Sequence, residues 1–187
     1  MALTYSEVGM TGTQAPLFEL KGVDGWRYAL ADFAQSKAVV VIFMCNHCPY
    51  VIAVQERINE LAKDYQRRGV PVLAINSNDS VRYPDDNFEA MKERAKEQGY
   101  VFPYLHDADQ SVAHAYGAVC TPEFYLLEPT SGTNFIIRYH GRLDDNWKEP
   151  QKVKTHDLAD AIDAILAGQP VSAQQQPSMG CSIKWKM

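Results

Sequence analysis

The sequence predicts one α/β domain built on a mixed sheet with helices on both faces. Ala38 to Met44 (AVVVIFM) is a wholly apolar run rich in β-branched residues, which reads as a strand buried on both faces of a parallel sheet. A second apolar run, Val70 to Ile75, follows a helical pattern, and two strands joined by a helix make a parallel βαβ unit. Later, Glu123 to Leu127 and Phe135 to Tyr139 flank a loop containing Pro129 and Gly132, which suits a hairpin. A parallel half followed by an antiparallel half gives the mixed sheet.

Ala15 to Leu20 and Trp26 to Leu30, split at Asp24-Gly25, predict an N-terminal β-hairpin ahead of the βαβ unit. Within that unit, Val51, Val54, Ile58, Leu61 and Tyr65 recur every three or four positions, one face of an amphipathic helix. Arg67 and Arg68 suit its last turn and Gly69 its left-handed cap. Pro71 is tolerable at a strand entrance. Pro84 to Asn87 opens a second helix with Phe88, Met91 and Ala95 on one face and Gly99 as its stop. The charges between them read as a solvated face. Asp109 to Tyr116 reads as a short third helix ended by Gly117. Thr155 is a candidate N-cap for a last helix carrying Leu158, Ile162, Ile165 and Leu166 and closed by Gly168. The domain is therefore drawn over residues 1–168, with a C-terminal tail over 169–187. Its Pro-, Gln- and Ser-rich first part, up to Gly180, is expected to be loosely held. Ile183 and Trp185 are apolar enough to dock, as a short added strand with Trp185 buried.

At 187 residues, 46% hydrophobic and 22% charged, the chain suffices for one sizeable core. No run approaches the ~18 apolar residues of a membrane span. A net charge of −5 argues against a nucleic-acid surface. Met1 to Thr13 has neither a basic start nor an apolar stretch, so no secretory signal is expected there. Four scattered cysteines are too few for a disulfide framework, and in a reducing compartment thiols serve catalysis or metals more often. A cytoplasmic redox protein is expected, with no membrane or nucleic-acid partner and its oligomeric state open.

The chemistry centres on Cys45-Asn46-His47-Cys48, placed where a buried strand turns into a helix. Amide groups and the positive helix end there favour a thiolate, and thiolate fraction controls cysteine reactivity. Structural zinc needs four ligands, usually two such pairs. Cys120 and Cys181 stand apart, and His47 is poorly placed to share an ion with its neighbours, so no metal is expected. Covalent haem attachment wants His after the second Cys, where Pro49 stands. Two inert packing thiols are the bland alternative.

Cys-x-x-C at a helix start, with Thr121-Pro122 before the late hairpin, resembles the thioredoxin fold. Gly9, Ala15-Pro16, Phe18 and Asp24-Gly25 resemble the redoxin branch of that fold. Closer still, Phe43 to Val51, Cys120-Thr121-Pro122, Gly141 to Asp145 and the Gly180-to-Lys186 end resemble a peroxiredoxin-like, AhpC/TSA-related group that carries Cys-x-x-C. The resemblance implies a cis Thr121-Pro122 peptide beside the dithiol, presenting an edge to substrate. The resemblance does not supply the group's substrate; thiol–disulfide exchange on protein or low-molecular-weight disulfides, without a cofactor and with the electron donor open, is the first function class the residues suggest.

Peroxidase chemistry and a non-enzymatic redox sensor are the alternatives. A peroxidatic loop needs Pro-x-x-x-Thr-x-x-Cys. With Cys48 as its cysteine, Thr falls on Cys45 and Pro on Val41, and the second activating element, an Arg, falls on or beside Pro122. Exchange needs only a thiolate, a second thiol and an open groove, and is favoured. Cys45 is expected to attack, with its pKa depressed by the helix start and by His47. Cys48 is expected to resolve the mixed disulfide. Relative to thioredoxin, Met44 replaces the usual Trp, and no acid lies in Ala38 to Val40 beneath the dithiol. Cys120 and Cys181 are candidate auxiliary thiols. His106, His114, His140 and His156 read as surface or satisfied core residues. Arg142, Asp144 and Asp145 are candidates for a partner surface.

Overall fold

The computed structural model describes residues 3–7 and 9–187. Its elements run β1 (Leu3–Tyr5), β2 (Glu19–Gly22), β3 (Arg27–Ala29), β4 (Val39–Phe43), α1 (Pro49–Arg67), β5 (Val72–Asn76), α2 (Phe88–Glu97), β6 (Tyr104–His106), α3 (Ser111–Tyr116), β7 (Cys120–Thr121), β8 (Glu123–Pro129), β9 (Phe135–Gly141), α4 (Asp157–Leu166) and β10 (Met179–Ser182). Among the described residues, seven strands form the main sheet in the order β3-β2-β6-β5-β4-β8-β9. β4 pairs parallel with β5 and antiparallel with β8. This is the mixed α/β, thioredoxin-like arrangement expected, with the N-terminal hairpin β2–β3 at one edge.

All five residues of β4 are buried, and they alternate between two cores. Val40 and Ile42 meet α1, α4 and Met91 of α2, whereas Val39, Val41 and Phe43 meet α3 and the N-terminal segment around Phe18 and Leu30. A strand with helices on one face and a helix plus coil on the other must be apolar throughout, and this one is. Burying each such side chain contributes about 1.5–3 kcal/mol. β4 therefore holds the Cys45 loop at its carboxyl end on a rigid base. α1 turns away at Pro49, which suits a first helical position because its missing amide is not needed there.

Three departures from the sequence reading matter. β6 was unforeseen, being three residues led by Pro103, yet it pairs with both β2 and β5. Thr155 does not cap α4: His156 holds that position, and the Thr155 hydroxyl donates to Asp157 Oδ2 at 2.8 Å. Residues beyond 168 return to the domain. Gln175 Oε1 accepts from the Thr11 hydroxyl at 2.8 Å and from the His140 amide at 2.9 Å, so the stretch before Gly180 is held rather than loose.

The end of the chain builds a second, three-stranded sheet, β1-β10-β7, antiparallel throughout. Past β10, Ile183 is 3% exposed and its amide donates to the Val119 carbonyl at 2.9 Å. Trp185 is only half-buried, stacked on His114 with centroids 4.2 Å apart.

Candidate functional site

β4, α1, β7 and β10 converge on the Cys-x-x-C loop. All four cysteines are buried thiols. Cys45 Sγ lies 3.3 Å from the Thr121 hydroxyl. Cys48 Sγ lies 3.1 Å from the Thr121 carbonyl oxygen, which accepts its hydrogen when that thiol is protonated. The Thr121-Pro122 peptide is cis. One residue thus faces both sulfurs, through its side chain and its backbone.

Cys48 is the N-cap residue of α1, and donors converge on its sulfur. The Cys45 thiol is the strongest. Burial opposes it, and the Cys181 thiol, the Val51 amide in the first turn and the Cys181 amide add to it. Together they pull the Cys48 pKa down to about 5. Cys45 is pushed the other way, by its hydrogen bond to Cys48, by burial and by the nearby Asp86 carboxylate, with the Thr121 hydroxyl opposing. The depressed thiol is therefore Cys48, not Cys45 as the sequence suggested. The neighbouring thiols of Cys45 and Cys181, and then the Val51 amide, act on Cys48, and His47 is engaged elsewhere.

That engagement is with Asp86, 2.6 Å from His47 Nδ1. Its hydrogen bond to Asp86 raises the His47 pKa, against burial. Asp86 is fully buried. Burial alone would raise its pKa, but His47, Asn78 and the Asn46 amide bring it below the usual carboxylate range. Its Oδ1 accepts from the Asn46 amide at 2.7 Å and from Asn76 at 3.0 Å, and its Oδ2 from Asn78 at 2.8 Å. Tyr83 stacks on His47 at 5.9 Å. In the sequence Asp86 reads only as part of a helix opening. The available signal was Asn46, Asn76 and Asn78 gathered at strand ends, where a buried acid finds donors. Asp86→Asn should lower the Cys45 pKa by removing the adjacent negative charge. Alkylation rate against pH in a Cys48→Ser background would show the midpoint moving down.

Cys45, His47 and Asp86 also offer three ligand atoms within 4.8 Å of one another. Two ligands on one tetrahedral zinc at ~2.0–2.2 Å stand about 3.3 Å apart. The 2.6 Å His47–Asp86 contact is a closer approach than two ligands of one zinc would make.

Cys120 is fully buried, and its thiol points at Glu123 Oε2, 3.5 Å away. Burial, then Glu123, push its pKa far up. Glu123 is a second buried acid that the sequence reading passed over as a strand residue. It accepts the amides of Val119 and Cys120 at 2.9 and 3.0 Å, the Tyr125 hydroxyl at 2.9 Å, and contacts His140 Nε2 at 2.6 Å. His140 is thus a core residue paired through Nε2 alone, its buried Nδ1 having no hydrogen-bond partner among the described residues.

Cys181, far away in sequence, stands opposite Thr121 in the β10–β7 pairing. The edge expected to receive substrate at Thr121 is occupied by the chain's own end. Arg142, Asp144 and Asp145 line a cavity of about 480 Å³ with Pro122, Trp147 and Met179, and no cysteine opens into it.

Residues 11–145 match the AhpC/TSA family. The chain is 32% identical over 126 residues to the thiol-disulfide oxidoreductase ResA of Geobacillus thermodenitrificans, covering 67% of this chain and 68% of that one. An uncharacterized conserved protein from Geobacillus kaustophilus superposes with a TM-score of 0.91 at 44% identity, over 100% of this chain and 97% of that chain. A hypothetical protein from Sinorhizobium meliloti superposes at 0.88 with 42% identity, over 98% of each. With the family match spanning most of its length and its dithiol standing at a strand-to-helix junction beside a cis Thr-Pro peptide, the chain belongs to the AhpC/TSA family of thioredoxin-fold proteins.

Proposed function

We propose that this thiol-disulfide oxidoreductase works through Cys45 and Cys48 sharing a single proton, with Thr121 supporting the reactive arrangement of that proton. At rest the proton sits on Cys45 and the charge on Cys48. For attack, the Cys45 proton passes to Cys48. The Thr121 hydroxyl then donates to the new Cys45 thiolate, and the Thr121 carbonyl accepts from the Cys48 thiol. Cys45 attacks one sulfur of a partner disulfide, whose other sulfur leaves as a thiolate and is protonated. Cys48 loses its proton and attacks Cys45 Sγ. This releases the second partner thiol and leaves a Cys45–Cys48 disulfide. His47 holds Asp86 in an ion pair, which keeps an uncompensated negative charge away from Cys45. Protein disulfides are the partners this chemistry suits.

The observation that carries this reading is the double contact of Thr121, 3.3 Å to Cys45 and 3.1 Å to Cys48. Thr121→Val keeps the shape and the carbonyl but removes the hydroxyl. A hydrogen bond to a charged group contributes about 1.5–3 kcal/mol, so insulin disulfide reduction should slow by ten-fold or more with the fold intact. An unchanged rate would remove Thr121 from the mechanism. Stoichiometric sulfenic acid on Cys48, with peroxide consumed faster than insulin is reduced, would replace exchange by peroxidase chemistry.

A further inference from the structure

The third thiol at this site has no part in the exchange just described. Cys181 is 3% exposed and sits on β10, opposite Thr121, whose carbonyl oxygen touches Cys48 Sγ. Its thiol and its amide both hydrogen-bond the Cys48 sulfur. The close seat of β10 requires Gly180: a Cβ there would lie 1.9 Å from the Thr121 oxygen and 2.6 Å from its carbonyl carbon. After β10 the chain is locked. The Lys184 amide donates to Asn78 at 2.9 Å, and its carbonyl accepts from the Asp79 amide and the Gln110 side chain, each at 2.8 Å. Asn78 also holds Asp86, so the terminal segment is tied to the network that carries His47. Cys120, by contrast, aims its thiol at Glu123. Of the two additional cysteines, Cys181 is the one delivered to the dithiol.

We infer that Cys181 is a third redox thiol, which moves the disulfide from Cys45–Cys48 to Cys48–Cys181. The step is a thiol–disulfide exchange and needs no outside oxidant. Cys181 loses its proton and attacks Cys48 Sγ; the Sγ48–Sγ181 bond forms and the Sγ45–Sγ48 bond breaks. The electron pair of the broken bond leaves on Cys45, which takes up the proton that Cys181 released. One disulfide is present before and after, and Cys45 is again a thiol while the oxidised bond lies between α1 and the terminal strand.

Oxidation itself primes the step. In the dithiol form Cys181 is raised to about 12, first by burial and then by its bond to, and the charge of, Cys48, with Lys184 opposing. Once Cys48 is in a disulfide, both Cys48 contributions vanish, while burial, the largest cause, and the opposing Lys184 contribution stay.

This inference rests on the Cys45–Cys48 reading, and one experiment separates the two. The full-length wild-type protein is oxidised with oxidised dithiothreitol, quenched in acid, alkylated with iodoacetamide and digested with trypsin. Mass spectrometry should find the Ala38–Arg57 peptide cross-linked to Thr155–Lys184, with Cys45 alkylated. In oxidised Cys181→Ser, alkylation of Cys45 should be lost, because only the Cys45–Cys48 disulfide can form. A wild-type protein holding only Cys45–Cys48, with Cys181 fully alkylated, overturns the transfer and leaves the exchange reading standing. A cross-link from Cys120 in place of Cys181 also overturns it. Absence of any disulfide at Cys45 or Cys48 overturns both.

Discussion

Replacing Cys48 with serine should stop catalytic turnover and strand the partner on Cys45. Without Cys48 nothing in the Cys-x-x-C loop can attack the mixed disulfide, so a single covalent adduct should accumulate with a disulfide-bonded peptide and persist until external thiol is added. Cys45→Ser should give no adduct through Cys48, whose sulfur is enclosed by the Thr121 carbonyl and Cys181. Intact-mass measurement of both variants after mixing with an activated peptide disulfide decides the matter. An adduct on Cys48 in Cys45→Ser, formed as fast as that on Cys45 in Cys48→Ser, would reverse the assigned roles.

Gly180→Ala should do more harm than any other single methyl group added near the site. Its Cβ would meet the Thr121 carbonyl oxygen at 1.9 Å and carbon at 2.6 Å, both backbone atoms, so β10 has to move away from β7. Overpacking of this kind costs about 1–3 kcal/mol, and in a chain of this length each kcal/mol lowers Tm by about 2–4 °C. The damage is local and therefore distinctive. Cys181 should become alkylatable in the folded protein, and the Cys48 pKa should rise from about 5 as the Cys181 donors withdraw. Unaltered Cys181 labelling, with Tm unchanged, would mean that β10 does not need its close seat.

What the sequence made legible was whatever its local pattern carries. The run at β4 is apolar because both its faces are covered, and α1 shows one apolar stripe because only one of its faces is. Both features repeat within a few residues, so they can be read without partners. β1, β7 and β10 are strands of two to four residues formed by pairing across the length of the chain; the alternation of Ile183 and Trp185 announced an added strand at the end, but it lies past β10, and nothing local marks β1 or β7. The same limit hid the electrostatics. Cys45, Cys48 and His47 were visible as a motif, but which sulfur holds the charge depends on Asp86, Thr121 and Cys181, brought in from three separate segments. An isolated helix start would have favoured whichever thiol its amides faced. Here the thiols of Cys45 and Cys181 weigh more than the one helix amide, that of Val51, that acts on Cys48.

The shared proton also sets a pH dependence. Cys48 has a folded-state pKa below its unfolded value, so its contribution to the stability of the reduced form is present above the unfolded ~8.5 and is lost as pH falls through about 5. The raised Cys45 acts in the opposite sense, and only above its own unfolded value. The Tm of reduced protein relative to oxidised should therefore climb between pH 5 and 8. A thiol of pKa ~8.5 is only ~3% thiolate at pH 7, so Cys48 carries about 30-fold more anion than one ordinary thiol. The most direct test is to titrate thiolate by ultraviolet absorbance in the reduced protein, the Cys48→Ser variant and the oxidised protein. The predicted result is one ionisation near pH 5 that disappears in Cys48→Ser and on oxidation, with Cys45 still protonated beyond pH 9. Ionisation of both sulfurs near the unperturbed value, or a low step that survives loss of Cys48, would contradict it.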